Sequence, residues 1–231
     1  MLNNTGVVIV AGGSSRRFGK NKLLEYIAGI PVFLHSITRL RGVCPDNHIV
    51  FVGSDEFLSK YQSLTDKIIP GNQILFTRGG ETRSDSVING LSAISKDIEF
   101  VAIHDAARPL VTIELLKKCI EACSIHGSGV AANRISDTVK QTDSECFVTK
   151  TIDRTNLWAI QTPQVFRLKD IKLAYDKIKK DEISVTDDAS AMEHLGYKVY
   201  LVENPEPNLK ITYSNDLKLA ESLLLLRTRY R

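Results

Sequence analysis

Residues 7–22 read VVIVAGGSSRRFGKNK, and this stretch decides the predicted fold. Its four leading apolar residues are typical of a buried β-strand, and a turn rich in glycine and serine follows them. Gly12 and Gly13 allow the backbone to turn with its amide groups exposed, and Ser14 and Ser15 add hydroxyl donors. Four basic side chains complete the stretch: Arg16, Arg17, Lys20 and Lys22. The pattern predicts an anion-binding turn suited to a polyphosphate.

The spacing of the glycines excludes two common nucleotide-binding loops. A P-loop has four residues between its glycines and a Ser or Thr after its lysine. Here five residues separate Gly13 from Gly19, and Asn21 follows Lys20. A dinucleotide-binding GxGxxG motif is excluded as well, because no glycine occurs between Gly13 and Gly19. Taken alone, the stretch leaves one alternative open, which is a strand followed by a basic surface turn.

Length and composition predict either one large domain over residues 1–231 or one domain with an appendage. The chain is 43% hydrophobic and 25% charged, which is enough to bury a substantial core. The balance of 30 basic against 27 acidic residues gives a net charge of only +3, so no nucleic-acid partner is expected. No apolar run approaches the ~18 residues of a membrane span, and no basic segment with an apolar core opens the sequence. We therefore expect a cytoplasmic protein without a membrane partner.

The four cysteines do not form CxxC pairs. Cys119 and Cys123 lie four residues apart in an apolar helical pattern, where small core residues are a better interpretation than zinc ligands. Such sparse use of cysteine favours a reducing compartment.

Strand-like and helix-like segments alternate along the chain, which favours a mostly parallel sheet with crossover helices. Predicted strands cover residues 7–10, 48–52, 74–77, 100–103, 129–135, 157–166, 198–203 and 208–212. Predicted helices begin at Pro31, Ser54, Ser84, Thr112, Leu168, Thr186 and Ser214, with Ser84 and Thr186 as caps.

Three polar loops are expected at one edge of this sheet. The first glycine turn, a second one at residues 78–83 and the segment HDAARP at residues 104–109 each follow a predicted strand. Ligands of open parallel sheets bind beyond the carboxyl ends of the strands. Asp105 is a candidate Mg²⁺ ligand there, because a single carboxylate suffices when substrate phosphates complete the shell. The alternative is that Asp105 only caps or turns the chain, and His104 is expected to be structural.

Residues 136–153 predict a β-hairpin too polar to form a core of its own. At about 18 residues the segment is also longer than an ordinary hairpin connection. We expect an arm that docks elsewhere, either exchanged between the subunits of a homodimer or folded back on its own subunit.

Six segments in order carry a resemblance to a known family. They are AGGSSRRFGKNK, HDAARP, DTVK, DRTNLWAIQTPQ, TDDASAMEHLG and NLKIT, which together span almost the whole chain. The sequence resembles the 2-C-methyl-D-erythritol 4-phosphate cytidylyltransferases of the non-mevalonate isoprenoid pathway. The resemblance implies a Rossmann-like nucleotidyltransferase fold with helices on both faces of the sheet and a homodimer that exchanges the 136–153 arm. It also implies transfer of CMP from CTP to the sugar-alcohol phosphate, with Mg²⁺ as cofactor and release of pyrophosphate.

The resemblance assigns roles to particular residues. Arg17 and Lys22 match transition-state stabilisers, and Arg154 and Lys210 match the pair that positions the substrate phosphate. Asp105 matches the metal ligand at the substrate site. Nucleotide-binding positions are Ala11, Gly12, Gly13, Ser14, Ser15, Gly80, Glu81 and Ser86. Further substrate-binding positions are Arg108, Thr138 and Thr162.

Two departures leave alternatives open. Asn21 stands where a proline commonly precedes the lysine, and the loop is about two residues shorter than in some relatives, so Lys20 could take the role given to Lys22. The start AGG also occurs in ribitol 5-phosphate cytidylyltransferases, although HDAARP and DTVK favour the methylerythritol family. A nucleotide-binding module without catalysis, or a structural protein with basic loops, would not need Asp105, Arg154 and Lys210 to meet at a second phosphate.

Overall fold

The structure, a computed structural model, describes residues 2–11 and 21–229. Eleven strands occur within these residues: β1 (Thr5–Val10), β2 (Tyr26–Ile27), β3 (Ile30–Pro31), β4 (Ile49–Gly53), β5 (Leu75–Arg78), β6 (Phe100–Asp105), β7 (Ser128–Arg134), β8 (Val139–Thr142), β9 (Val148–Ile152), β10 (Trp158–Arg167) and β11 (Leu201–Glu203). The same residues form seven α-helices: α1 (Val32–Leu40), α2 (Leu58–Ile68), α3 (Arg83–Ala93), α4 (Ile113–His126), α5 (Leu168–Lys180), α6 (Asp188–His194) and α7 (Ser214–Arg229).

A seven-stranded sheet in the order β11-β7-β10-β6-β1-β4-β5 organises the described part of the chain. β1 pairs in parallel with β4 and β6, and β4 pairs in parallel with β5. β10 is antiparallel to both β6 and β7, while β11 is parallel to β7. The mostly parallel α/β fold is therefore confirmed. The carboxyl ends of β1, β5 and β6 lie at one edge, as the strand-loop pattern predicts.

Strand β1 shows how the sheet separates two cores. Alternate side chains of a strand point to opposite faces, and all six residues of β1 are buried. Val7 and Ile9 pack with residues of α1, α4 and α7, whereas Val8 and Val10 pack with residues of α3, α5 and α6. A central parallel strand buried on both sides is expected to be apolar throughout, which explains the uninterrupted run VVIV.

Two helix caps differ from the predicted ones. Thr82, not Ser84, caps α3, because its hydroxyl accepts from the Asp85 amide while the Asp85 carboxylate accepts from the Thr82 amide. Asp187, not Thr186, caps α6, and its carboxylate accepts from the amide of Ser190. In both cases the side chain that satisfies the free amide groups of the first turn decides where the helix begins.

The predicted strand at 208–212 is wrong. This stretch is irregular, because loop atoms and side chains rather than a neighbouring strand satisfy its backbone. The amide of Ile211 donates to Ala107 O at 2.9 Å, and the amide of Thr212 donates to Asp216 Oδ2 at 2.7 Å. The preceding strand is also shorter than predicted and covers only Leu201–Glu203.

The predicted hairpin is confirmed as a two-stranded sheet of its own, formed by β8 and β9. Two of its apolar side chains are mostly uncovered within the chain, since Phe147 is 68% exposed and Val148 is 60% exposed. Exchange of this arm between subunits stays a prediction, as does the single-domain boundary of 1–231.

The cysteines within the core match the interpretation as small core residues. Cys44, Cys119 and Cys123 are buried free thiols, and burial raises the pKa of each to about 12. Cys146 is exposed near the tip of the hairpin. Across residues 2–11 and 21–229, no helix combines the length and apolar character that a membrane crossing requires.

Candidate active site

Three cationic side chains surround the carboxylate of Asp105, the last residue of β6. Lys210 Nζ lies 2.6 Å from Oδ2, Arg83 Nε lies 3.6 Å from Oδ1, and Arg108 Nε lies 3.9 Å from Oδ2. The Asp105 side chain is only 11% exposed. Burial by itself would raise the pKa of Asp105, but the charges of Lys210, Arg83 and Arg108 lower it well below its usual range. The carboxylate is therefore ionised at neutral pH.

His104 supports this site from inside the protein. Its Nε2 lies 3.2 Å from Arg108 O, and because a carbonyl oxygen can only accept, Nε2 carries the proton. Nδ1 then accepts from the hydroxyl of Thr162 at 3.1 Å, and Thr162 Oγ1 accepts the amide of Asp105 at 3.0 Å. Burial lowers the pKa of His104 to about 4, so the ring is neutral at pH 7. These contacts make His104 a structural residue that ties the end of β6 to the middle of β10.

The irregular stretch before α7 brings Lys210 to the carboxylate. Asn208 Nδ2 donates to Thr162 O at 2.9 Å, and Arg108 Nη1 donates to Asn208 O at 2.8 Å. Ile211 is anchored on the loop after β6 through Ala107 O. These bonds on both sides of Lys210 hold its backbone next to the HDAARP segment.

Arg83 is a site residue that sequence reasoning missed. Its Nη1 and Nη2 donate to Oδ1 and Oδ2 of Asp188 at 3.0 and 2.6 Å, while its Nε faces Asp105. Burial works against the charged guanidinium, but the charge and hydrogen bonds of Asp188 raise the pKa of Arg83 overall. A signal was present in the sequence, because Arg83 is the last residue of the second glycine turn and Asp188 lies in the TDDAS segment. Nothing in their spacing indicated that the two would pair.

Two cavities meet at these charged groups. The larger has a volume of about 550 Å³, and its wall includes Arg108, Thr162 and Gln164. The smaller, of about 100 Å³, is lined by Ala11, Lys22 and Leu23. Three side chains line both cavities: Arg83, Asp105 and Lys210. The structure thus brings Ala11, Lys22, Asp105, Arg108, Thr162 and Lys210 together, while the roles assigned to them stay predictions.

Ser86 stabilises the second glycine turn through two hydrogen bonds. The Gly80 amide donates to Ser86 Oγ at 3.1 Å, and Ser86 Oγ donates to Thr82 O at 3.0 Å. A Cβ at Gly80 would lie 2.2 Å from Asp85 Cβ, so the close approach of the turn to α3 requires glycine. Glu81, in the same turn, is exposed. Ser86 therefore shapes the turn from a buried position, and the exposed backbone around Gly80 faces outward.

Comparisons with known proteins agree with this geometry. The family model of 2-C-methyl-D-erythritol 4-phosphate cytidylyltransferase, IspD, matches residues 5–226. The chain belongs to this family. The enzyme of that name from Caldanaerobacter subterraneus subsp. tengcongensis is 40% identical over 96% of this chain and 99% of its own.

Solved structures show the same relationship in three dimensions. The structure of 4-diphosphocytidyl-2C-methyl-D-erythritol synthase from Anaerococcus prevotii superposes with a TM-score of 0.83 at 29% identity, over 96% of this chain and 99% of that one. The family enzyme from Francisella tularensis superposes with a TM-score of 0.80 at 30% identity, over 96% of this chain and 100% of that one.

Some residues to which the family resemblance assigns roles lie outside the meeting point of the cavities. Thr138 and Arg154 are exposed on the arm and its base, and neither lines the two cavities. The Arg154 guanidinium donates instead to Ser136 O. Gly12, Gly13, Ser14, Ser15 and Arg17 lie outside the described residues.

The side chains at Asp105 suit a metal ion that substrate phosphates also bind. Residues 2–11 and 21–229 contain no group of three or more His, Cys, Asp or Glu side chains placed to hold a metal ion. Asp105 offers a hard oxygen ligand surrounded by cations. Such a site fits Mg²⁺ only together with anionic ligands, which matches the way Mg²⁺ is bound through one or two carboxylates plus phosphates.

Proposed function

We propose that this chain transfers CMP from CTP to 2-C-methyl-D-erythritol 4-phosphate, giving 4-diphosphocytidyl-2-C-methyl-D-erythritol and pyrophosphate for isoprenoid precursor synthesis. Family membership supports this reaction. The observation that carries it in the structure is the pair of Lys210 and Asp105 where the two cavities meet. A cation and a carboxylate at that point lie between a place for the nucleotide and a place for a second phosphate.

The reaction needs charge neutralisation rather than a general base. A phosphomonoester is largely dianionic at pH 7, so its attacking oxygen carries no proton that must be removed. Two anions must instead approach to roughly 3 Å, the separation of a near-attack geometry. Positive side chains at the meeting point oppose their repulsion. The neutral, internally bonded ring of His104 is consistent with a site that has no general base.

Each side of the site has its own residues in this proposal. Lys22, which lines the smaller cavity, neutralises the triphosphate and the departing pyrophosphate, a role that the resemblance also assigns to Arg17. Arg108 and Thr162 lie on the acceptor side, along the larger cavity. Lys210 lines both cavities, so its ammonium can contact the acceptor phosphate and the α-phosphate of CTP.

Asp105 is the residue that would hold Mg²⁺. When bound, the ion supplies further neutralisation of phosphate charge. The contribution of the protein is to keep the carboxylate ionised and oriented, which the surrounding cations do.

We include a homodimer in the proposal because Thr138 and Arg154, to which the resemblance assigns acceptor-side roles, line neither cavity of their own chain. Thr138 and Arg154 would come from the exchanged arm of a second subunit, whose apolar residues Phe147 and Val148 would then be covered. A guanidinium suits that role because it binds phosphate in a bidentate fork. The buried thiols of the core suit a cytoplasmic location.

The direct experiment combines the purified chain with CTP, 2-C-methyl-D-erythritol 4-phosphate and Mg²⁺. Pyrophosphate release and the mass of the product are followed together. We expect stoichiometric pyrophosphate and diphosphocytidyl product, a large loss of kcat in Asp105→Asn, and wild-type rates in Asp66→Asn, which changes an exposed carboxylate on α2. No product from the wild-type chain, or unchanged turnover in Asp105→Asn, would contradict the proposal.

A further inference from the structure

The guanidinium of Arg83 contacts two carboxylates at once. Two of its nitrogens bind Asp188 in a bidentate fork, and the third, Nε, lies 3.6 Å from Oδ1 of Asp105. Asp188 is completely buried, and the hydroxyl of Tyr175 donates to the same carboxylate. A planar guanidinium held by both ends of a buried carboxylate has little freedom to rotate. The direction in which Nε points is therefore fixed by Asp188 and Tyr175.

Arg83 and Lys210 approach opposite oxygens of Asp105. Lys210 Nζ contacts Oδ2. The Lys210 side chain is 44% exposed and carries its ammonium at the end of a flexible stem. Arg83 is on Oδ1, with a side chain that is 29% exposed and clamped by Asp188. Of these two cations, Lys210 is the one that can move to an arriving phosphate. Arg83 is the one that stays.

We propose that Arg83 is a positioning residue for the transfer reaction, which Asp188 clamps so that the Asp105 carboxylate keeps one orientation while Lys210 leaves Oδ2 for a substrate phosphate. This inference rests on the proposed function. The competing explanation is that Arg83 only neutralises Asp188, since an unpaired buried charge destabilises a fold strongly. The two explanations predict different kcat values for a variant in which the charges of Arg83 and Asp188 are removed together.

The first test is the pair Arg83→Gln and Asp188→Asn, alone and combined. Each single variant leaves a buried partner without its counter-charge, so Tm falls, whereas the neutral pair regains most of the lost Tm. We expect kcat to remain on the order of 10² below wild type in Arg83→Gln and in the combined variant. Recovery of kcat along with Tm would overturn the proposal, because neutralising Asp188 would then be all that Arg83 does.

A second cycle shows whether Arg83 acts through Asp105. Adding Arg83→Gln to Asp105→Asn should lower kcat by less than about threefold, because the group that Arg83 positions is already lost. A full additional loss of the Arg83→Gln size would overturn the inference. If the neutral pair fails to fold, Arg83→Lys answers the same question, since it keeps a charge for Asp188 but cannot bridge two carboxylates. Its Tm should stay near wild type and its kcat should fall at least about tenfold, and wild-type kcat would contradict the proposal.

Arg41 provides the matched control. It makes a bidentate pair with Asp46, at 2.9 and 2.6 Å, just after α1 and outside the walls of both cavities. The combined Arg41→Gln and Asp46→Asn variant should keep wild-type kcat.

A readout without turnover separates this inference from the proposed function. Absence of product from the wild-type chain would count against the proposed function. The positioning role of Arg83 is then tested by Mn²⁺ binding in the presence of CTP and without acceptor. By electron paramagnetic resonance we expect Mn²⁺ affinity to fall about tenfold in Arg83→Gln and to stay unchanged in Arg41→Gln. Equal affinities in wild type and Arg83→Gln would contradict the positioning role.

Discussion

The ammonium of Lys210 lies 2.6 Å from Oδ2 of Asp105, although the two side chains differ in exposure, at 44% and 11%. The carboxylate is fixed by the amide of Asp105 on Thr162 and by the arginines around it, whereas the lysine stem is flexible. Asp105 therefore holds the Lys210 ammonium next to the place where the two phosphates must meet. Moving the ammonium from the carboxylate to a phosphate would cost little free energy, because Arg83 and Arg108 continue to neutralise Asp105.

Removing this cation should impair catalysis much more than folding. In Lys210→Met we expect kcat to fall on the order of 10², the usual effect of losing one preorganised charge at the transition state. Tm should change little, because two arginines remain beside Asp105. Steady-state kinetics and thermal denaturation check both parts, with Lys218→Met on the exposed face of α7 as the control. Equal losses of kcat in the two variants would rule out a special role for Lys210.

The two lysines of the first loop should differ strongly. Lys22 lines the smaller cavity with Asp105 and Lys210, and only one lysine of this shortened loop can lie against the triphosphate. Lys22→Ala should therefore lose on the order of 10² to 10³ in kcat, and Lys20→Ala should lose far less. Single-turnover rates with saturating CTP distinguish them. A larger loss in Lys20→Ala would assign the triphosphate contact to that lysine and correct the alignment of this shortened loop.

The sequence could predict those parts of the site whose positions are determined by local patterns of residues. The positions of Asp105 and Lys22 follow from strands that end at one edge of a parallel sheet, which hydrophobic runs and glycine turns reveal. The resemblance assigned Lys210 a role that stays a prediction, and the structure places its ammonium beside Asp105. The strand predicted around Lys210 was wrong. Residues 208–212 have an apolar alternation typical of a strand, while their backbone bonds go to the loop after β6 and to Asp216.

The remaining misses have different physical causes. Arg83 and Asp188 pair across 105 residues of sequence, and no periodicity reports such a contact. The cap of α3 was predictable in principle, because Thr82 and Asp85 have capping-box spacing, but Ser84 gave a competing signal. For α6 the predicted cap was Thr186, whereas the folded backbone places the next residue, Asp187, at the cap position.

Protonation of His35 should make the fold less stable in mild acid. Its Nε2 donates to Ile27 O at 2.8 Å, and burial lowers its pKa below the ordinary value of 6.5 despite that bond. As pH falls below 6.5 the unfolded chain binds a proton that the folded chain binds less readily, so unfolding becomes more favourable. His35→Gln should therefore lose less Tm than wild type between pH 7 and pH 5. Identical pH dependence of Tm in the two proteins would show that His35 contributes nothing to it.

Mixing two inactive variants tests whether the site is shared between subunits. Arg154 lies on the exposed base of the arm and lines neither cavity, so in a dimer with exchanged arms it serves the neighbour. Mixed dimers of Arg154→Ala and Asp105→Asn contain one site with both residues intact. Because about half of the dimers are mixed, up to about a quarter of wild-type activity should return. Mass spectrometry confirms that mixed dimers have formed, and no recovery in their presence would place Arg154 in the site of its own chain.

Competition between two acceptors tests CMP transfer to a methylerythritol phosphate most directly. Equimolar 2-C-methyl-D-erythritol 4-phosphate and ribitol 5-phosphate are incubated with the chain, CTP and Mg²⁺, and the two products are quantified by mass spectrometry. The product ratio equals the ratio of kcat/KM values, and we expect it to exceed about 10² in favour of the methylerythritol product, the discrimination that a pocket built for particular hydroxyls achieves. Comparable amounts of both products, or an excess of the ribitol product, would contradict the account.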